Sequence, residues 1–94
     1  MRITDIEKQT IINAVNTVDP FAKIYLFGSR VDETKKGGDI DILIFSNDIT
    51  YGDKLKIKAY IFEKIDEQKI DLIVASNPKD PFVAMILEKG ELLK

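Results

Sequence analysis

Apolar positions near the start of the chain recur at intervals of three and four residues, which is the spacing of one helix face. These positions are Ile11, Ala14, Val15 and Val18. Thr4 precedes this run and Glu7 follows Thr4 by three residues, which is the sequence pattern of a capping box. The pattern predicts a helix from about Asp5 to about Thr17.

Three short apolar runs, each bounded by turn-forming residues, predict buried strands further along the chain. They are Lys23–Phe27 (KIYLF), Asp39–Ser46 (DIDILIFS) and Lys69–Ser76 (KIDLIVAS). In the second run, Ile40, Ile42 and Ile44 alternate with other residues, so they share one face of a strand. The closing ELL after Gly90 predicts a short final strand.

Helical spacing returns between the second and third runs and again after the third. The range Asp53–Glu67 predicts an amphipathic helix with one main apolar stripe. The stripe consists of Leu55, Ala59, Phe62 and Ile65, with Ile57 and Ile61 beside it. A last helix is predicted from Asp80 and Pro81 to about Glu88, with Asp80 as its cap and Gly90 as its end.

The alternation of helices and strands predicts an α/β (α+β) architecture with a small mixed sheet. Three to four strands would be flanked by about four helices, including a short helix through Arg30 and Val31 that Ser29 can cap. The helix after the second strand allows a parallel crossover, and the eleven residues from Phe27 to Asp39 also allow an antiparallel pair. At 94 residues the chain is expected to form one domain, residues 1–94.

The composition excludes several classes of site. The chain contains no Cys and no His, which removes disulfides, thiolate chemistry, imidazole bases and His-ligated metals. Any bound metal would therefore be a hard, oxygen-liganded ion. With 14 Lys and Arg against 16 Asp and Glu, the net charge of -2 argues against binding of extended nucleic acid. The start of the chain lacks a signal-peptide pattern and no run is apolar enough for a membrane span, so we expect a cytoplasmic protein.

Two carboxylates stand out at the start of the second predicted strand. Asp39 and Asp41 project from the same face, roughly 6.5–7 Å apart along the strand. Two such carboxylates repel each other, and a bound cation removes this repulsion. They can bracket a pair of divalent ions, which is the arrangement used for in-line phosphoryl chemistry. Asp71, near the start of another apolar strand, would supply a third carboxylate if the two strands are neighbours.

A turn upstream offers the complementary half of such a site. Gly28 lets the backbone approach a phosphate closely, and Ser29 at a helix start offers a hydroxyl and free backbone N–H groups. Arg30 adds a positive charge beside them. A Gly-Ser turn for phosphates and an Asp-x-Asp strand for metals together suit a Mg-bound nucleoside triphosphate.

These motifs resemble those of a known family. The segment LFGSRVDETKKGGDIDILI, followed by Asp71 in KIDLIV, is similar to the minimal nucleotidyltransferases of the DNA polymerase β superfamily. Their pattern is a hydrophobic residue with Gly-Ser, a loop, Asp-x-Asp, and a third acidic residue on a later strand. Here nine residues separate Ser29 from Asp39, one fewer than in the commonest form. The resemblance spans nearly the whole chain, including the closing ILEKGELL.

The resemblance implies the nucleotidyltransferase fold and transfer of a nucleoside monophosphate to a hydroxyl. The implied metal ligands are Asp39, Asp41 and Asp71, and the implied phosphate contacts are Gly28, Ser29 and Arg30. Asp71 would also orient or deprotonate the attacking hydroxyl. The implied cofactor is Mg²⁺, as two ions, and the implied substrate is ATP or another nucleoside triphosphate.

Minimal members of this family are typically encoded beside a helical partner of the HEPN type. In several such pairs the nucleotidyltransferase is the antitoxin and adenylylates its partner toxin, so the resemblance implies transfer of AMP to a hydroxyl of a HEPN-type protein. The last predicted helix bears on this partner, because its apolar residues leave almost no polar face. They are Phe82, Val83, Met85, Ile86 and Leu87. Either the domain covers this helix fully, or one side of it contacts another chain.

Two alternatives remain open. The first is nucleotidyl transfer to a small hydroxylated molecule of the antibiotic type, although 94 residues leave little room for a substrate-recognition domain. The second is a non-catalytic binding module that neutralises a partner by contact.

Overall fold

The computed structural model describes residues 3–28, 40–65 and 70–94. The helices within these ranges are α1 (Asp5–Asn16), α2 (Tyr51–Lys64) and α3 (Pro81–Lys89). The strands are β1 (Lys23–Phe27), β2 (Ile40–Phe45), β3 (Ile70–Ala75) and β4 (Glu91–Leu92). The element order is α1-β1-β2-α2-β3-α3-β4. The short helix predicted through Arg30 and Val31 lies outside the described residues.

The described strands form one mixed sheet with the order β3-β2-β1-β4. β1 is antiparallel to both β2 and β4, with Leu26 opposite Ile42 in the first pair. β2 and β3 are parallel, with Ile42 opposite Leu72. The helix α2 connects these two parallel strands, as a crossover requires. The predicted α/β class with a small mixed sheet is therefore confirmed, and both strand directions that the sequence allowed occur in it.

Helices cover both faces of this sheet. α1 and α2 pack on one face, and α3 packs on the other around the buried Leu43. Side chains alternate along β2, so Ile40, Ile42 and Ile44 are fully buried towards α1 and α2. Asp41 and Leu43 therefore lie on the face that carries α3.

Side-chain caps hold the starts of α1 and α3 as the sequence predicted. The Thr4 hydroxyl accepts a hydrogen bond from the Glu7 N–H at 3.0 Å, and the Glu7 carboxylate accepts one from the Thr4 N–H at 2.8 Å. At α3, the Asp80 carboxylate accepts bonds from the N–H groups of Phe82 at 2.9 Å and Val83 at 3.2 Å. Both caps satisfy N–H groups that have no partner within the helix.

The bounds of α2 differ from the prediction. The helix begins at Tyr51 rather than Asp53, because Thr50 and Asp53 form a capping box of their own. It ends at Lys64 rather than near Glu67, because Ile65 already has an extended backbone with φ -117° and ψ 111°. The signal for the start was present as Thr-x-x-Asp, with the shorter Asp in place of the usual Glu or Gln.

The buried face of α2 also differs from the prediction. The predicted stripe members Leu55, Ala59 and Phe62 are all exposed. Instead Ile57 and Ile61, expected beside the stripe, are fully buried against α1 and the sheet. The remaining member of the predicted stripe, Ile65, is buried with them. Both sets have helical spacing, so periodicity could not show which one would meet the sheet.

The domain covers one side of α3. Val83 and Ile86 are buried against the sheet, whereas Phe82 and Met85 are exposed. Gly90 ends the helix as predicted, and its N–H donates to the Ile86 carbonyl at 2.7 Å. Among the described helices, none is long and apolar enough to cross a membrane.

A buried carboxylate joins the segment before β1 to the end of β2. The Asp19 carboxylate accepts hydrogen bonds from the Ser46 hydroxyl at 2.5 Å and from the Phe21 N–H at 3.0 Å. The hydrogen bond from Ser46, and then the one from Phe21, hold the pKa of Asp19 below its usual range. Burial raises this pKa by less than these bonds lower it, and the charge of Lys94 makes the smallest contribution, which also lowers it. Because β1 and β2 are antiparallel, this contact lies at the opposite end of the pair from Asp41.

Candidate functional site

The register of the sheet places two of the predicted carboxylates side by side. Asp41 lies opposite Phe27 in the antiparallel β1–β2 pair and opposite Asp71 in the parallel β2–β3 pair. All three residues occupy the face of the sheet that carries α3. Paired strands lie about 4.8 Å apart, so the two carboxylates start from adjacent positions on one surface. Asp41 is half-buried and Asp71 is exposed, so this surface is open to solvent at Asp71.

The donor set of the pair fits a hard divalent cation. Carboxylate oxygens are the ligands that Mg²⁺ prefers, at distances of about 2.0–2.1 Å. Like charges in directly opposite strand positions destabilise a sheet, and a cation between them removes this repulsion. Within the described ranges no group of three acidic side chains could hold a metal ion, and the predicted third ligand, Asp39, lies outside them. Metal binding by these residues stays a prediction.

The chain leaves β1 through a glycine that has no room for a side chain. Gly28 has a φ of 75°, in the left-handed region that residues with a Cβ rarely adopt. A Cβ built on Gly28 would lie 2.3 Å from Oδ2 of Asp41 and 3.2 Å from its carboxyl carbon. The missing side chain therefore lets the backbone of the turn lie directly against this carboxylate. The phosphate contact assigned to Gly28 stays a prediction.

The structure brings together Gly28, Asp41 and Asp71 from three different elements. Gly28 follows β1, Asp41 is near the start of β2, and Asp71 is near the start of β3. They meet at one end of the three strands, because β1 runs antiparallel to β2 and β3 runs parallel to β2. The other predicted site residues, Ser29, Arg30 and Asp39, lie outside the described residues.

An aromatic pair beside the carboxylates was not predicted from the sequence. The ring of Phe27 meets that of Phe82 edge to face, with centroids 5.9 Å apart and an interplanar angle of 85°. Phe27 is the strand neighbour of Asp41, and Phe82 is exposed at the start of α3. The apolar character of α3 was visible in the sequence, but this contact depends on where α3 packs on the sheet.

The comparisons with known proteins agree with the fold and with these motifs. The model of the family described as polymerase beta nucleotidyltransferase matches residues 9–94, which include all the strands and every predicted site residue. The chain therefore belongs to this family, as the resemblance of its motifs indicated. Family membership supports nucleotidyl transfer as the general activity. No curated protein matches the chain.

Proposed function

We propose that this chain is a Mg²⁺-dependent nucleotidyltransferase of the cytoplasm that moves AMP from ATP to a hydroxyl group of a partner protein. The observation that carries the proposal is the pairing of Asp41 with Asp71 on adjacent strands, beside the turn at Gly28. Family membership supports the general class of reaction. In this proposal residues 1–94 act as one catalytic domain.

The carboxylates are assigned to the metal. Asp41 and Asp71, together with Asp39, would hold two Mg²⁺ ions through their oxygens. Bound Mg²⁺ would supply charge neutralisation for the triphosphate and for the leaving pyrophosphate. The pairing of Asp41 and Asp71 supports this assignment, because both residues lie on one face of the sheet and at the same end of its strands.

The turn after β1 is assigned to the phosphates. Because Gly28 has no Cβ, its backbone lies against Asp41, and a phosphate could approach the turn and the carboxylate together. Ser29 and Arg30 follow directly in the sequence. We assign their hydroxyl and guanidinium groups to the β- and γ-phosphates, since charge-assisted hydrogen bonds suit these oxygens.

In the reaction, the oxygen of the acceptor hydroxyl forms a bond to the α-phosphorus of ATP. The bond from this phosphorus to the oxygen that bridges to the β-phosphate breaks, and pyrophosphate leaves. The proton of the acceptor hydroxyl passes to Asp71, which is assigned this role because it is exposed where an acceptor can reach it. A positioned base of this kind typically contributes on the order of 10²–10⁴-fold to the rate.

The partner is assigned to the helical HEPN type, with this chain as the antitoxin of the pair. One feature supports a protein acceptor. The exposed side of α3, with Phe82 and Met85, offers apolar surface on the same face of the sheet as the carboxylates.

The experiment that tests this proposal uses ATP labelled on either the α- or the γ-phosphate, with Mg²⁺ and the protein encoded beside this chain. We expect the α-label on the partner and the γ-label in pyrophosphate. The variants Asp41→Asn and Asp71→Asn should lose the transfer, whereas Asp48→Asn, an exposed carboxylate beyond β2, should keep it. Label from the γ-phosphate on the partner, or no label from either, would contradict the proposal.

A contact function without catalysis is the second candidate, and the exposed side of α3 favours it. In this case the chain would neutralise its partner by binding through residues such as Phe82 and Met85. The same variants separate the two candidates. If Asp41→Asn and Asp71→Asn neutralise the partner as well as the original chain does, contact alone is sufficient.

A further inference from the structure

An exposed apolar stripe runs along the outer side of α2. This α2 stripe consists of Tyr51, Leu55, Ala59 and Phe62. Tyr51, Leu55 and Phe62 are 75%, 49% and 47% exposed. Successive members are four, four and three residues apart, so they form one line on the helix surface, roughly 16 Å long. Single exposed apolar residues are ordinary on protein surfaces, whereas a continuous line of them marks a contact surface.

The α2 stripe is separate from the core of the protein. The side of α2 that meets α1 and the sheet carries Ile57 and Ile61, both fully buried. The helix is therefore apolar on two sides, and the fold of this chain uses the side with the isoleucines. The stripe also lies on a helix whose start is fixed by the Thr50–Asp53 capping box, so it is presented on a regular element.

Lysines border the stripe. Helical geometry places Lys54 and Lys58 along one side of it and Lys56 along the other, where Glu63 also lies. None of these three lysines forms an ion pair with another described residue. The border is thus net positive although the whole chain has a net charge of -2.

From this arrangement we propose that the α2 stripe is the docking surface for a helix of a partner protein whose own apolar stripe is bordered by Asp and Glu. Two such helices would pack their apolar residues against each other, as amphipathic helices do. The acidic borders of the partner would then lie beside Lys54, Lys56 and Lys58. Charge complementarity of this kind selects the partner and its orientation.

The same charges argue against a second copy of this chain as the occupant. A two-fold pair of α2 helices is isologous and can be antiparallel or parallel. In an antiparallel pair, Lys54 and Lys58 would face Lys54 and Lys58 of the second copy. In a parallel pair, they would face the side that carries Lys56. Like charges in these positions disfavour association.

Docking on the α2 stripe would leave the candidate active site open. α2 packs on one face of the sheet, whereas Asp41 and Asp71 lie on the other face, with α3. The docking surface and the candidate active site would therefore lie on opposite sides of the sheet. The inference therefore goes beyond the proposed transfer reaction, and a binding experiment without nucleotide tests it separately.

The test uses two synthetic helical peptides of 14 residues, the length of α2, with identical apolar stripes. One peptide has Glu at its border positions and the other has Lys. We expect the chain to bind the Glu-bordered peptide at least about tenfold more tightly, measured by fluorescence anisotropy at low salt. The double variant Leu55→Ser with Phe62→Ser should weaken this binding at least about tenfold. Phe21→Ser is the matched control, since Phe21 is 90% exposed and is not part of α2, and it should bind normally.

Charge reversal gives the sharper readout. Lys54→Glu with Lys58→Glu should invert the preference, so that the Lys-bordered peptide binds more tightly. Equal binding of the two peptides, or no binding of either at about millimolar concentration, would overturn the proposal. A dimer of the chain that the Leu55→Ser and Phe62→Ser variant dissociates would assign the stripe to a second copy. Binding to acidic phospholipid vesicles that the same variant abolishes would assign it to a membrane surface, and either result would also overturn the proposal.

Discussion

The backbone of Gly28 and the carboxylate of Asp41 lie so close that a Cβ on Gly28 would be 2.3 Å from Oδ2 of Asp41. Contacts of a Cβ atom below 3.0 Å are essentially never observed, so either the turn or the carboxylate would have to move. The turn after β1 and the start of β2 therefore form one structural unit. A residue other than glycine at this position would therefore displace the turn or the Asp41 side chain.

The first prediction concerns Gly28→Ala. The φ of 75° strains alanine, and the added methyl displaces Asp41, so we expect a loss of about 1–3 kcal/mol in the free energy of unfolding. Transfer of AMP should fall with it. Urea denaturation measures the stability, and the labelled-ATP assay measures the transfer under conditions where the variant is folded.

The matched control for this variant is Gly52→Ala. Gly52 lies in the first turn of α2, and the nearest atom to its built Cβ is the Thr50 hydroxyl oxygen at 3.8 Å. Alanine there should stabilise the chain by about 0.5–1 kcal/mol, because glycine is unfavourable inside a helix. If Gly28→Ala and Gly52→Ala changed the free energy of unfolding alike, Gly28 would not be the position where a side chain is excluded.

The second prediction concerns Mg²⁺ with ATP. If Asp41 and Asp71 hold the metal, binding of Mg²⁺ with ATP should stabilise the folded chain. The gain in the free energy of unfolding is roughly 2.7 kcal/mol when the free ligand is at about 100 times its dissociation constant. For a domain of this size that is a rise in Tm of about 10–20 °C. Differential scanning fluorimetry should show this rise in the original chain and in Asp48→Asn, and neither Asp41→Asn nor Asp71→Asn should show it. A full rise in both site variants would place the nucleotide elsewhere.

The third prediction concerns Asp19 and pH. The pKa of this carboxyl is lower in the folded chain than in the unfolded chain, so the folded state binds this proton less readily. The stabilisation is present in full above the unfolded pKa of about 3.9 and is lost as the pH falls through the lower folded pKa. The stability difference between the original chain and Asp19→Asn should therefore shrink in acid.

Ser46→Ala identifies the source of this pH dependence. The Ser46 hydroxyl makes the hydrogen bond that contributes most to lowering the pKa of Asp19. Ser46→Ala should reduce the acid dependence, and the double variant with Asp19→Asn should be less destabilised than the sum of the single variants. The measurement is urea denaturation at a series of acidic pH values. Strict additivity would show that the two residues act independently.

The fourth prediction compares the two apolar sides of α2. Ile61→Ala removes side-chain atoms from a fully buried position and should lower the free energy of unfolding by about 2–5 kcal/mol. Leu55 is part of the exposed α2 stripe, so Leu55→Ala should change the free energy of unfolding by less than about 1 kcal/mol. Chemical denaturation of both variants checks this difference. The reverse order would mean that Leu55 rather than Ile61 faces the core.

Local signals made much of the fold predictable. The capping residues Thr4 and Asp80 act on N–H groups within three residues of themselves, so the sequence contains the whole interaction. The strand Lys23–Phe27 agrees with its predicted bounds, since turn residues flank it on both sides. The sequence also placed Asp41 and Asp71 near the starts of two strands.

The relationships between elements could not be predicted from local patterns. Asp41 lies beside Asp71 only because β2 and β3 are parallel neighbours. This strand pairing depends on the path that the chain takes through α2. The side of α2 that is buried depends on how the helix packs against α1 and the sheet, because both of its apolar sides have the same period. The Phe27–Phe82 contact likewise depends on the packing of α3.

The position of β2 between β1 and β3 has a consequence for amide hydrogen exchange. Backbone amides of β2 are paired on both sides and lie among fully buried side chains, so they should exchange with solvent only when the chain unfolds globally. β3 is at the edge of the described sheet and can open locally at a lower free energy. Asp41 is therefore held by the segment that opens least, and Asp71 by one that can separate from it while the rest stays folded. A ligand that bridges the two carboxylates would slow exchange in β3 far more than in β2.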